Sequence, residues 1–197
     1  MLLPYIRRSV SFIPAILVAA GLSLSAVAGV HAEDLTPWKG EWVSAVSLLN
    51  IPVVDSELQS AYEEQGKKDN VSAQEWKKNK LSKWNTAIKG MMIGDNDITF
   101  TLGDGSRVTG KYTYAGAVTT TYGEHELQWS KFTSEDEGVW HAVMLMPPEV
   151  SEDHTALTHF HFRYGNDGFN ALQEATVFPT MVAPDTTAAQ FAADFAE

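Results

Sequence analysis

Two histidines set two residues apart, His159 and His161, lie inside the run Thr158-His159-Phe160-His161-Phe162-Arg163-Tyr164. The chain has six histidines in all, so this pairing stands out. On an extended strand, side chains alternate between faces, and both imidazoles then project to one side with Phe160 and Phe162 on the other. Two imidazoles held on a rigid strand supply half of a tetrahedral zinc site. By itself a His-x-His is a weak motif, whose plain alternative is an inert, hydrogen-bonded pair beside a barrel mouth.

Composition narrows the chemistry. There is no cysteine, which excludes a disulfide framework and a thiolate site. A bound metal must use nitrogen, oxygen or methionine sulfur. Lys and Arg number 14 against 25 Asp and Glu, a net charge of −11, so nucleic acid and anionic lipid are disfavoured as partners. The opening segment has the form of a secretory signal peptide: basic Arg7-Arg8, an apolar stretch from Ile13 to Val27, and the small-residue step Val30-His31-Ala32. The expected division is residues 1–32 as signal and 33–197 as one domain of about 165 residues, with no membrane insertion after cleavage.

The elements that must position the histidines follow from periodicity. An apolar run from Trp42 through Val43, Val46 and Leu49 reads as a first strand. A helix capped by Asp55 or Ser56 carries Leu58, Ala61 and Tyr62 and ends near Gly66. A second opens on the capping box Ser72/Glu75, with Trp76, Trp84 and Ile88 as one stripe closed by Gly90. From Met91 the period changes to two. Strands are expected at Ile98–Leu102, Arg107–Tyr114, Val118–Tyr122, Glu126–Phe132, Val139–Met146 and Leu157–Tyr164, joined by tight turns and a longer Pro147–Ala156 loop. A short helix over Phe169–Ala175 and a last one from Thr186, capped by Asp185 with Phe191 and Phe195 buried, complete the chain. The class is mostly β with flanking helices: an antiparallel, lipocalin-like barrel preceded by a helical segment.

Several blocks carry a resemblance. Leu35-Thr36-Pro37-Trp38-Lys39-Gly40-Glu41-Trp42, the Lys111-Tyr112-Thr113-Tyr114-Ala115-Gly116 turn, and His159-Phe160-His161 followed by Gly165-Asn166-Asp167 and Phe178-Pro179-Thr180 are similar, in order and spacing, to the ZinT/AdcA zinc-binding family. The resemblance implies a periplasmic calycin-like barrel that binds Zn(II) through three histidines without catalysing a reaction. It also implies service to zinc acquisition, with an ABC importer or its solute-binding protein as the partner. The chain departs from the family pattern in three places. No His-rich segment follows Ala32, Gly110 stands where a half-cystine is expected, and the strand that should end in Ser-Asp-His reads His141-Ala142-Val143-Met144-Leu145-Met146.

Two residues compete as third ligand. His154 keeps an Asp-His step after Asp153 and is preferred, giving the expected set His154, His159 and His161. His141 would face His161 if the intervening hairpin turned symmetrically near Ser151, whereas a one-residue change of register would present Met144 and Met146 instead. Asp153 or a backbone carbonyl is expected to orient a ligand ring. His125, beside Glu124 and Glu126, reads as an exposed turn residue. Neutral imidazole ligands predict that affinity falls as pH drops through the histidine range, near ~6.5. Three alternatives stand beside zinc capture: a lipocalin-like binder of a small apolar ligand, a copper-binding variant favoured by methionine near histidine, and a metallohydrolase, which lacks a recognisable general-base motif.

Overall fold

A computed structural model describes residues 33–196; the expected signal segment lies outside them. The order is β1 (Gly40–Ser44), α1 (Ala45–Leu49), α2 (Pro52–Glu57), α3 (Gln59–Lys68), α4 (Ala73–Trp84), β2 (Ile88–Ile93), β3 (Asp97–Leu102), β4 (Arg107–Lys111), β5 (Thr113–Tyr122), β6 (His125–Thr133), β7 (Ala142–Leu145), β8 (His159–Gly165), α5 (Phe169–Gln173), β9 (Thr180–Val182) and α6 (Ala188–Ala196). The strands form one antiparallel sheet in the order β4-β3-β2-β1-β9-β8-β7-β6-β5. Its two edges, β4 and β5, are consecutive in the chain and separated only by Tyr112, so the sheet curls until its ends approach one another. The junction is tied down locally: Lys111 N–H donates to Asp136 Oδ2 at 2.7 Å and Tyr112 N–H to the Asn96 carbonyl at 2.8 Å.

Inward-facing side chains meet across the curl. Trp42 of β1, Phe100 of β3, Phe132 of β6, Leu145 of β7, Phe160 and Phe162 of β8 and Met181 of β9 belong to one buried cluster. Trp42 and Phe160 pack edge to face at 4.8 Å, and the Trp42 indole donates to the Trp38 carbonyl at 2.7 Å. Each such side chain contributes about 1.5–3 kcal/mol by burial. These side chains pack together in the interior of the curl.

A second cluster covers part of the outer face. Leu49 of α1, Tyr62 of α3, Trp84 of α4 and Phe191 and Phe195 of α6 close over Leu157 and Val182. In α4 the expected N-cap is present, Ser72 Oγ accepting from Glu75 N–H at 3.1 Å. In α6 the cap is Thr187, not Asp185: Thr187 N–H donates to Gln190 Oε1 at 2.8 Å and Gln190 N–H returns to Thr187 Oγ1 at 3.3 Å.

Other boundaries differ from the periodicity reading. The first strand ends at Ser44, because Val46 and Leu49 are spaced for one face of a helix, α1. The next helix begins at Pro52, whose fixed φ suits a first turn, and helical residues run past Gly66 to Lys68. Gly66 is required there for another reason: a Cβ would meet the Val71 carbonyl at 2.9 Å. Ile88 opens β2 rather than closing α4. Asp136, in the turn between β6 and β7, holds the β4–β5 junction.

Candidate metal centre

Register decides which way β8 presents its side chains. Phe160 pairs with Met181 and Phe162 with Leu145, all facing inward, while His159 pairs with Val182 and His161 with Thr180. Both histidines and Arg163 therefore face outward, as the alternation requires. Their rings are 5.2 Å apart at 73°. Two imidazoles bound tetrahedrally to one zinc, at the usual Zn–N length, have ring centres about 5 Å apart.

Hydrogen bonding fixes which nitrogen is free. His159 Nδ1 lies 3.3 Å from the Leu157 carbonyl, which can only accept, so Nδ1 carries the proton. His161 Nδ1 lies 2.9 Å from Thr180 Oγ1. That hydroxyl directs its own proton to the Phe178 carbonyl at 2.8 Å, so it accepts from the His161 Nδ1–H. In both rings Nε2 is left as the lone-pair nitrogen, the form a metal needs. Asp153 takes no part: it accepts instead from the Thr155 hydroxyl and N–H and from Ser151, which holds its carboxyl below the usual carboxylate range. The backbone carbonyl and Thr180 are the orienting groups.

Burial, then the His159, Lys80 and Arg163 charges, pushes the His161 ring down to about 3. The desolvated ring resists protonation. Proton competition at His161 thus moves far below the ordinary histidine range expected from sequence. Arg163 is itself buried, its guanidinium 4.5 Å from the Trp129 ring and 4.9 Å from the Phe178 ring. Nη1 donates to the carbonyls of Leu172 and Gln173 at 2.8 and 3.1 Å, anchoring the end of α5. The segment that follows lays Phe178 against His161, ring centres 5.8 Å apart.

An open pocket of about 340 Å³ adjoins His161; Trp84, Tyr122, His125, Met146, Glu149 and Phe178 help to line it, with Lys80 and Lys83 at its margin. His125 was missed as a pocket residue. It opens β6, and the alternation through Leu127 to Trp129 gives it their face, a signal visible in sequence only once the strand's start is known.

The structure brings His159 and His161 together and leaves His154 outside the pocket that His161 lines. His154 sits on an exposed turn with φ of 56°, and its carbonyl accepts from Gln190 Nε2 at 3.2 Å. The turn is closed on itself through Ser151, Asp153, Thr155 and Ala156. His141 is remote from the pair: its N–H donates to Asn166 Oδ1 at 2.9 Å and its Nδ1 lies 2.9 Å from the Ser134 carbonyl. The symmetric hairpin is not formed. Met146, whose N–H donates to the His161 carbonyl at 2.9 Å, holds the cross-strand position instead. Among the described residues, no three His, Asp or Glu side chains stand close enough to hold a metal as they are.

A curled antiparallel sheet with a filled interior and paired histidines on its outer face defines a lipocalin-like protein with a candidate metal-binding face. Residues 23–197 match the ZinT (YodA) family, periplasmic lipocalin-like zinc-recruitment proteins, and the chain belongs to that family. The family's described role is recruitment of a metal ion, not catalysis. The fold is similar to the Zn(II)-bound ZinT-like domain of Streptococcus pneumoniae AdcA, with 20% identity and a TM-score of 0.66 over 83% of this chain and 90% of that one. It is also similar to Zn(II)-bound AdcA from the same organism, at 21% identity and a TM-score of 0.67 over 85% of this chain, which spans 36% of that longer protein. Comparison with curated proteins finds no match. Among the described residues, no helix is long and apolar enough to cross a membrane.

Proposed function

We propose that the protein captures Zn(II) on the outer face of β8, through His159 and His161, and serves zinc recruitment in the periplasm after removal of the 1–32 signal peptide. The observation that carries this reading is the pair of Nε2 lone pairs, each left free by a hydrogen bond at Nδ1, on rings spaced 5.2 Å apart. The Zn(II)-bound state of the AdcA domain, which shares the fold, supports the choice of metal. Positions not filled by protein suit a carrier that must release its cargo, and an ABC importer's solute-binding protein is the recipient this reading implies. His154, the third ligand expected from sequence, is held on an exposed turn outside the pocket that His161 lines.

A copper variant has one observation of its own: Met146 lies across the ladder from His161 and lines the same pocket. Thioether sulfur beside imidazole favours Cu(I). Titration of the mature protein with Zn(II) and with Cu(I), beside the H159A/H161A double variant, tests both readings. One tightly bound zinc per chain, lost in the double variant, is the expected result. Unchanged zinc affinity in that variant would refute the site, and a strong preference for Cu(I) would transfer it to copper.

A further inference from the structure

The strand before the histidines carries a bulge with a consequence for the site. Met146 N–H donates to the His161 carbonyl at 2.9 Å, and the next exchange between these strands is Glu149 N–H to the His159 carbonyl at 2.8 Å, returned by His159 N–H to the Glu149 carbonyl at 3.0 Å. Three residues on one strand therefore face two on the other. The residues between are Pro147 and Pro148, which have no N–H to give to a ladder. In a regular strand, Met146 and Glu149 would point to opposite faces. The extra residue reverses that parity.

Directly paired residues project to the same face, with Cα atoms about 5.5 Å apart in a hydrogen-bonded antiparallel pair. Glu149 is the partner of His159. Its side chain accordingly rises beside the two imidazoles and into the pocket that His161 lines. We propose that Glu149 is the third protein ligand, making this a two-histidine, one-carboxylate metal site; the inference rests on the zinc reading above.

Charge supports the assignment. Lys80 and Lys83 lie at the pocket's edge and Arg163 two residues from His161, so a divalent cation enters a positive neighbourhood. Glu149 is the one carboxylate among the pocket-lining residues. None of the ion pairs among the described residues engages it. Its side chain is exposed, so rotation about its own torsions can bring the carboxylate toward the two Nε2 atoms without repacking the core. Two imidazoles and a carboxylate form an established zinc donor set, with the fourth position open to the pocket.

The test compares wild type, E149Q, H154A and H159A/H161A, reading zinc affinity by competition with a chromophoric chelator and the ligand-field spectrum of the Co(II)-substituted protein. E149Q is expected to weaken zinc at least ~10-fold and to shift the Co(II) bands, with H154A within about twofold of wild type in affinity. An E149Q protein that binds like wild type, or a larger loss in H154A, would overturn the Glu149 assignment. If binding still collapsed in H159A/H161A, the histidine site would stand without it. Retention of zinc by the double variant would overturn both.

Discussion

Thr180 has a defined task, and Thr180→Val removes it with little change of shape. The side chain is fully buried. Its hydroxyl accepts the His161 Nδ1–H at 2.9 Å and donates to the Phe178 carbonyl at 2.8 Å. Valine leaves both partners unsatisfied, at a cost of about 1–3 kcal/mol for each buried group that finds no substitute. The ring has one cheap escape, which is to move its proton to Nε2. That tautomer turns the metal-binding nitrogen into an N–H, so zinc affinity should fall by roughly 10–100-fold, the range seen when a ligand's orienting partner is lost. Chelator competition at neutral pH measures the affinity, thermal denaturation the stability, and ¹⁵N NMR of the imidazole the tautomer. A protein that is less stable, keeps Nε2 unprotonated and binds zinc within about twofold of wild type would refute the argument and reduce Thr180 to a packing residue.

Acid should expose the desolvated ring. In the unfolded chain His161 takes up a proton below about pH 6.5, whereas in the metal-free fold burial delays this to about 3. The unfolded state thus binds more protons throughout that window. The associated stability is fully present above pH 6.5 and is lost progressively as pH falls toward 3, by on the order of 3 kcal/mol after discounting for partial exposure. Urea denaturation of metal-free wild type and H161Q across this range should show a shallower pH slope for the variant, and equal slopes would contradict the burial argument. Phe160→Leu removes ring volume from the interior and should cost about 1–2 kcal/mol, with zinc affinity of the folded protein unchanged because Phe160 faces away from the site. A 10-fold loss of affinity would argue against the inward assignment. Ser72→Ala should cost about 1 kcal/mol in chemical denaturation through the lost α4 cap, and no loss would show that the cap is immaterial.

Much of this arrangement was legible in the chain, and the gaps have physical causes. The two-residue period around His159 reported its own face correctly because alternation is a local property of extended backbone. The proposed third ligand, Glu149, is not legible in the sequence, because its place depends on cross-strand register and on the one-residue shift at Pro147-Pro148. His141 lies away from the pair because Ala142 is already paired with Gly165, and the bulge at Pro147-Pro148 then shifts the ladder by one residue and puts Glu149 opposite His159. Met146 does stand opposite His161, through a larger shift than the one-residue change of register considered from sequence. Strand β9 carries Thr180 but is three residues long, too short to show a period. Periodicity does not separate α1 from a strand, because Val43, Val46 and Leu49 fit an apolar run in either conformation. From sequence His125 reads as a turn residue, since a pocket formed across neighbouring strands leaves no mark on the residues beside it.

Whether His159 and His161 hold the zinc is read from crystals of the zinc-loaded mature protein measured on both sides of the zinc absorption edge. One anomalous peak per chain is expected on the outer face of β8, within coordination distance of Nε2 of both His159 and His161, about 2.0–2.1 Å. A peak at another site, or at this one with either ring bound through Nδ1, would contradict it.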